Sequence, residues 1–300
     1  TPGNFRRWGY VAADGQTLYG TRAAGAGQSD ALFAVDIDSG EQRWTLDGKK
    51  VFHNTIAMGD DLVFVVSSDV TDEQRQQALA ERRVAIAQLP EGERKLAEAA
   101  LANAKVRLVM CLNKSNGQVV WQNPLDLTEL GDTPAAMYHN GVLVLFGVYL
   151  DGHYWQQFFA GEFAGRRVTA LAGGDGKMLW SQQIGYRVRP LIIGDTLHAE
   201  PWAFDLKTGQ TQQRVHPVTG QQERWQFARP GHHCGAPSAS PHTMFFRSWN
   251  LGYYDLDDDY GTVHFGGQRP GCWINFLPVG GLAVMAEAST GCMCDFPNQG

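Results

Sequence analysis

Short apolar runs bounded by turn residues recur along this chain. The clearest lie at 61–66, 141–146 and 191–197, where Val, Leu, Ile and Phe are flanked by Gly, Asp or Asn. Runs of roughly four to eight such residues are typical of β-strands, whereas helices need roughly ten residues or more. The pattern therefore predicts an all-β fold.

One strand–turn–strand unit repeats, with a tryptophan at a fixed distance after the turn. Residues 34–44 read Ala-Val-Asp-Ile-Asp-Ser-Gly-Glu-Gln-Arg-Trp, and 111–121 and 170–180 follow the same plan. A looser fourth copy spans 219–225, and a degenerate fifth spans 255–265, where Phe replaces Trp. A large side chain at a constant place after a turn glycine predicts sheets that pack face to face through that side chain.

The spacing of the copies identifies the repeating unit. Their turn glycines stand at 40, 117, 176, 220 and 261, which gives intervals of 77, 59, 44 and 41 residues. Intervals of roughly 40–45 residues are typical of a four-stranded propeller blade. The first interval contains 71–104, and without those 34 residues it is 43. The second contains an aromatic-rich loop at 151–166.

The repeat resembles the tryptophan-docking motif of the quinoprotein (PQQ-like) β-propeller superfamily. The pattern Ala-x-Asp-x-x-Thr/Ser-Gly-x-x-x-Trp is met fully at 34–44 and closely at 111–121. That superfamily includes quinoprotein alcohol dehydrogenases and an outer-membrane assembly lipoprotein, so the resemblance implies a fold and not a chemistry. The segment from 229 to 294, with its Cys, His and Gly-rich motifs, is similar to uncharacterised secreted propeller proteins of planctomycete-type bacteria.

We therefore expect residues 1–300 to form one β-propeller domain of about six to eight four-stranded blades. About six units fit in this length, while the resemblance implies seven or eight blades. Either the N-terminal strand closes the ring with the last blade, or blades are missing, and we favour an incomplete ring. Residues 229–296 would form Cys/His-containing terminal blades.

The segment 71–104 departs from the β pattern and predicts helices. Thr71 and Gln74 have the spacing of a capping box, and helix-forming composition runs to Leu89. Pro90 then opens a second helix. We expect a helical hairpin inserted within a blade and packed on the propeller rim, or alternatively an arm or lid that docks a partner.

Net charge and cysteine content limit the ligands and the cellular compartment that the sequence allows. A net charge of −6 disfavours nucleic acid, and no apolar stretch approaches the roughly 18 residues of a membrane span. The first residues, Thr-Pro-Gly-Asn-Phe, lack the basic and apolar stretches of a signal peptide, so we expect either that a signal was removed or that the chain is an excised piece. Four of the five cysteines lie in the last 67 residues, which favours two disulfides, a buried thiol at Cys111 and an oxidising compartment, periplasmic or extracellular. A metal site on some of the four, or four reduced thiols, are the alternatives.

The densest cluster of reactive residues is His232, His233 and Cys234. Imidazole and thiolate are good zinc or copper ligands, so these three are the metal candidates, although no spacing fits a zinc finger or a haem attachment. In the alternative, the histidines hydrogen-bond loops and the cysteines are structural. The disulfides would then be Cys234–Cys272 and Cys292–Cys294.

Arginine and aromatic residues form the second candidate site. Arginines beside Pro, Ser or Gly stand at strand edges, which converge on one face of a propeller, and they would bind an acidic polysaccharide together with stacked aromatic rings. Alternatively, the arginines bond blade carbonyls. The arginines are Arg187, Arg189, Arg247 and Arg269. The other binding candidates are Trp202, Trp249, Tyr254, Trp273, Asn275 and Glu287, the last expected to be buried and paired.

Catalysis is the rival hypothesis. In a polysaccharide lyase, His232, His233 or Tyr186 would act as the base beside a uronate neutralised by Arg189 or Arg269. A metal-dependent enzyme would use the same face. The quinoprotein resemblance also makes an oxidoreductase a third hypothesis. However, the sequence lacks the pair of adjacent cysteines expected of that class, which argues against a PQQ cofactor. The acidic run 255–261 lacks the EF-hand Gly and Glu, so a solvated turn is favoured over calcium.

Taken together, the sequence predicts an extracytoplasmic binding or scaffold propeller for a carbohydrate or protein partner. The chain would have no membrane span and would belong to a longer chain or an assembly.

Overall fold

The computed structural model describes residues 7–25, 27–148, 161, 163–231, 235–266 and 277–285. Its strands pair antiparallel throughout these ranges, and its three helices lie close together in sequence. The chain divides into two compact units. Unit 1 comprises 1–148 and 166–182, and unit 2 comprises 149–165 and 183–300.

Unit 1 contains three blades of four antiparallel strands each. The first blade has β1 Trp8–Asp14, β2 Thr17–Gly25, β3 Gln28–Asp36 and β4 Gln42–Phe52. The second has β5 Ala57–Gly59, β6 Leu62–Ser67, β7 Val106–Asn113 and β8 Val119–Asp126. The third has β9 Pro134–His139, β10 Val142–Gly147, β11 Arg167–Ala172 and β12 Met178–Gln183. The meander order within each blade is that of a propeller.

Burial on both faces explains why the apolar runs do not alternate with polar residues. In β6, Val63 and Val65 pack in a cluster with the first blade, whereas Phe64 and Val66 pack in a second cluster with the third blade. All four are at most 1% exposed. A strand buried on both sides reads as a continuous hydrophobic run, because alternate side chains point to opposite faces.

The segment 71–104 is helical, with three helices rather than the expected two. They are α1 Asp72–Ala78, α2 Ala80–Ala87 and α3 Glu91–Ala102. The capping box is present: Gln74 N–H donates to Thr71 Oγ1 at 3.2 Å, and Thr71 N–H donates to Gln74 Oε1 at 2.9 Å. The first helix ends early because Leu79, only 1% exposed, packs against Ala104 and Val106.

Unit 2 has shorter strands. One sheet has β13 Leu191–Ile193, β14 Thr196–Ala199 and β15 Trp202–Asp205, and a hairpin follows with β16 Gln213–Val215 and β17 Gln222–Arg224. The next blade has β18 Ser238–Ala239, β19 Thr243–Ser248, β20 Asn250–Asp255 and β21 Thr262–Phe265. A last hairpin has β22 Leu277–Val279 and β23 Leu282–Val284.

The fourth copy of the repeat was misplaced by the sequence analysis. Its turn is at 205–209, where Gly209 N–H donates to Asp205 O at 2.9 Å, as Gly40 N–H does to Asp36 O in the first blade. The turn at 216–220 has the same geometry but belongs to the inserted hairpin. Two similar turns therefore occur within one blade, and only pairing across the sheet distinguishes them.

Candidate functional site

The recurrent tryptophans of unit 1 connect neighbouring blades. The Trp44 indole N–H donates to Lys114 O at 2.9 Å, and its ring covers Gly117 in the turn of the next blade. Trp121 repeats this arrangement one blade later, donating to Gly173 O at 2.8 Å and covering Gly176. These residues are structural, because both the ring and its polar atom are occupied within the fold.

Two of these turns begin with an aspartate whose carboxylate is engaged locally. The Asp36 carboxylate accepts from Ser39 N–H at 2.9 Å and pairs with the Arg43 guanidinium at 2.5 Å. The hydrogen bond from Arg43 is the main reason why the pKa of Asp36 lies well below its ordinary value, and the hydrogen bonds from Ser39 lower it further. In unit 2, hydrogen bonds from Thr208 likewise lower the pKa of Asp205. These acids stabilise turns.

Unit 2 has a buried ion pair between Glu200, which directly follows β14, and Arg229. Arg229 Nε is 2.8 Å from Glu200 Oε2, and the two side chains are 0% and 9% exposed. Arg229 N–H donates to Glu200 Oε1 at 3.0 Å, and Arg229 Nη1 donates to Gly235 O at 2.8 Å. The pair thus fixes both flanks of the connection before β18. We call this part of unit 2 the loop end.

Further contacts fix the loop end at the β19–β20 connection. Ser248 Oγ donates to Pro230 O at 2.5 Å, and His264 Nε2 lies 2.9 Å from Ser248 Oγ. Trp249 has a φ of 62° and remains 47% exposed, while its indole covers Gly231. The indole is therefore presented at the surface on a tightly held backbone.

The structure brings together only part of the residues singled out from the sequence. Arg189 and Trp202 line a small cavity of about 20 Å³ with Glu200 and His198. Trp202 also carries the Arg224 guanidinium 3.7 Å above its ring centroid.

Other candidates differ in exposure. Arg187 and Arg189 are exposed, whereas Tyr186 is fully buried and Arg247 is 2% exposed. Tyr254 is buried against Trp225. Burial removes Tyr186 and Arg247 from contact with a surface ligand. The remaining candidates lie outside the described residues: His232, His233, Cys234, Arg269, Cys272, Trp273, Asn275, Glu287, Cys292 and Cys294.

Toward the opposite end of the same sheets, unit 2 has an open cleft of about 260 Å³. We call it the Trp225 cleft. Its lining residues are Ile193, Thr196, His198, Ala203, Gln212, Gln213, Trp225, Pro241 and Leu256. The His198 ring packs edge-on to Trp225 at 4.9 Å, and burial lowers the pKa of His198 to about 4. His198 is therefore neutral at pH 7. The sequence analysis noted Trp225 only as a repeat residue and did not single out His198 or the glutamines.

The acidic residues at 255–259 form turn hydrogen bonds and ion pairs. The Asp255 carboxylate accepts from Asp257 N–H at 2.9 Å, Asp257 lies 2.8 Å from His242, and Asp259 pairs with Arg214 at 2.8 Å. Within the described ranges, no three His, Cys, Asp or Glu side chains cluster in a way that could hold a metal. No helix in those ranges is long and apolar enough to cross a membrane.

The four-stranded meanders and docked tryptophans define a β-propeller of PQQ-like repeats, as predicted. The family model described as outer membrane protein assembly factor BamB matches residues 6–215, and this chain belongs to that family. A search of curated proteins found no match.

Several solved structures resemble the chain at low identity. BamB from Moraxella catarrhalis is 12% identical, with a TM-score of 0.45 over 84% of this chain and 58% of that one. The computationally designed Ika8 protein is 12% identical, with a TM-score of 0.49 and coverages of 90% and 64%. A europium-containing methanol dehydrogenase is 11% identical, with a TM-score of 0.42 and coverages of 89% and 62%. The chain thus spans less than two thirds of each of these structures.

Proposed function

We propose that this chain is a non-catalytic scaffold propeller that acts outside the cytoplasm and binds a protein partner through the loop end of unit 2. The observation that carries the proposal is the exposure of Arg187, Arg189 and Trp249. Arg189 borders the small cavity that Glu200 also lines, and Trp249 follows Ser248, whose hydroxyl is bonded to Pro230 O.

Arginine and tryptophan are the side chains most enriched among the residues that dominate protein–protein binding energy. A rigid backbone beneath them lowers the entropy lost on binding, because the interacting loops are already ordered. The loop end therefore has the composition and the support expected of a preformed protein-binding surface. The family description, an assembly factor of the outer membrane, supports both a protein partner and an extracytoplasmic setting.

Site-specific photo-crosslinking in the producing cells tests this function. A photoreactive residue would be placed at Arg187, Arg189 or Trp249. The matched controls are two exposed positions of the same unit, Lys207 in a turn and Gln222 at the start of β17. We expect the three loop-end positions to yield one common protein adduct and the control positions to yield none.

Charge reversal then tests whether the adduct depends on the surface. The double variant R187E/R189E, probed from position 249, should lose the adduct while the protein keeps its thermal unfolding midpoint. Equal adducts from the loop-end and control positions, or an adduct that survives the charge reversal, would show that the loop end is not the partner surface.

A further inference from the structure

Trp225 occupies the place of a docking tryptophan and packs against Tyr254 of the next blade, but it lacks the two contacts that Trp44 and Trp121 make. Trp44 and Trp121 each cover a turn glycine of the next blade and donate their indole N–H to a backbone carbonyl. In the next blade, the turn position equivalent to Gly117 is Asp259, whose N–H donates to Asp255 O at 3.2 Å, so this turn has a side chain where the other two have glycine. Among the described residues, the Trp225 indole N–H has no hydrogen-bond acceptor.

The inserted hairpin gives the physical reason for this difference. In unit 1 the tryptophan lies four residues after its turn glycine, whereas Trp225 follows Gly209 by sixteen residues, with β16 and β17 between them. Trp225 rejoins the sheet because its N–H donates to Gln212 O at 2.8 Å. The strand order is restored and Trp225 packs against Phe227 and Tyr254, while the Trp225 cleft remains open beside it.

Among the polar side chains of this cleft, Gln213 makes only one long hydrogen bond, from Nε2 to Thr211 O at 3.5 Å. Gln212 has its backbone fixed on both sides, donating to Ala203 O at 2.9 Å and accepting from Trp225, while its side-chain amide has no partner among the described residues. Thr196 and Gln213 add a hydroxyl and a second amide at the rim. Together these groups supply both donors and acceptors.

The cleft carries no net charge. No Asp, Glu, Lys or Arg lines it, and His198 is neutral at pH 7. The remaining lining residues are Ile193, Ala203, Pro241 and Leu256. A half-buried tryptophan beside two side-chain amides and a hydroxyl matches a flat ligand with one apolar face and many hydroxyl groups. An anionic ligand would find no countercharge here.

We propose that the Trp225 cleft is a binding site for a neutral carbohydrate, with one pyranose ring lying against Trp225 and its hydroxyls bonded by Gln212, Gln213 and Thr196. The volume of about 260 Å³ lies just below the roughly 300 Å³ at which drug-sized pockets begin, so the cleft holds a single sugar ring. The cleft adjoins the small cavity beside Glu200, since His198 and Trp225 line both, but the proposal does not depend on a protein partner at the loop end.

Nuclear magnetic resonance of the tryptophan side chains tests the proposal on the intact chain. The chain has nine tryptophans, and the Trp225 indole signal is assigned by its loss in W225F. The probes are glucose, galactose, mannose and N-acetylglucosamine, each titrated into the millimolar range, with glucuronate as the charged counterpart. We expect at least one neutral sugar to shift the Trp225 signal saturably, and glucuronate to bind more weakly.

Two glutamine variants provide the matched comparison. Gln212→Ala removes one amide from the cleft, and a lost hydrogen bond of about 1 kcal/mol corresponds to roughly fivefold weaker sugar binding. Gln222→Ala removes an exposed amide of the same hairpin that does not line the cleft, and it should leave binding unchanged. Saturable shifts that persist unaltered in Gln212→Ala, a preference for glucuronate, or no shift with any neutral sugar would overturn the proposal. R187E/R189E should not affect sugar binding, which separates this test from that of the scaffold function.

Discussion

The docking of Trp44 on Gly117 predicts a measurable difference between two glycines in equivalent turns. Gly40 and Gly117 both have a φ of +71°. A Cβ added at Gly40 would meet no atom within 4 Å, whereas one at Gly117 would lie 2.7 Å from two ring carbons of Trp44. Alanine at the two positions therefore has the same backbone cost but a different steric cost.

The magnitudes follow from these contacts. A left-handed conformation costs a non-glycine residue roughly 1–2 kcal/mol, so Gly40→Ala should destabilise the protein by about that amount. At Gly117 the clash adds an overpacking cost of roughly 1–3 kcal/mol. If Trp44 shifts away, it also loses its hydrogen bond to Lys114 O, worth about 1 kcal/mol. We expect Gly117→Ala to be less stable than Gly40→Ala by about 2–3 kcal/mol.

Urea unfolding of both variants, followed by far-ultraviolet circular dichroism, measures the difference, provided that the urea dependence of the unfolding free energy is the same in both. The control is the Trp44→Ala background, in which Gly117→Ala should cost no more than Gly40→Ala because the ring is gone. Equal destabilisation of the two glycine variants in the native background would refute the argument that Trp44 is docked on Gly117.

Three further outcomes are expected. Arg229→Met leaves the Glu200 carboxylate buried without its partner and should destabilise the protein by roughly 3–5 kcal/mol, whereas adding Glu200→Gln should restore part of this in thermal unfolding. The pKa of His198 is lowered from 6.5 to about 4 in the folded state, so the unfolded state binds the proton first as the pH falls. Stability should therefore fall by about 3 kcal/mol between pH 6.5 and pH 4, and a His198→Phe variant should lack this decrease. Burial raises the pKa of the Cys111 thiol to about 12, so a thiol reagent at pH 8 should label Cys111 only after denaturation, as mass spectrometry would show.

Much of the fold could be predicted because its signals are local. A turn that begins with Asp36 and ends with Gly40 is defined by hydrogen bonds within five residues, and the Thr71 capping box by two bonds within four. The helical break at Leu79 was missed, because it depends on packing against Ala104 and Val106. The predicted disulfides and the site around His232 and Cys234 stay predictions, since they lie outside the described residues.

By itself, the sequence determined the class of fold: its repeat period and its turn glycines with following tryptophans define propeller blades, because these features act over a few residues. Only the tertiary structure decided which copies work as blade contacts. Gly209 and Gly220 end turns of the same geometry, yet only cross-strand pairing shows that the second belongs to an inserted hairpin. The same holds for the repeat tryptophans: Trp44 is packed against a glycine, whereas Trp225 lines an open cleft, because the neighbouring sheet decides what covers a side chain.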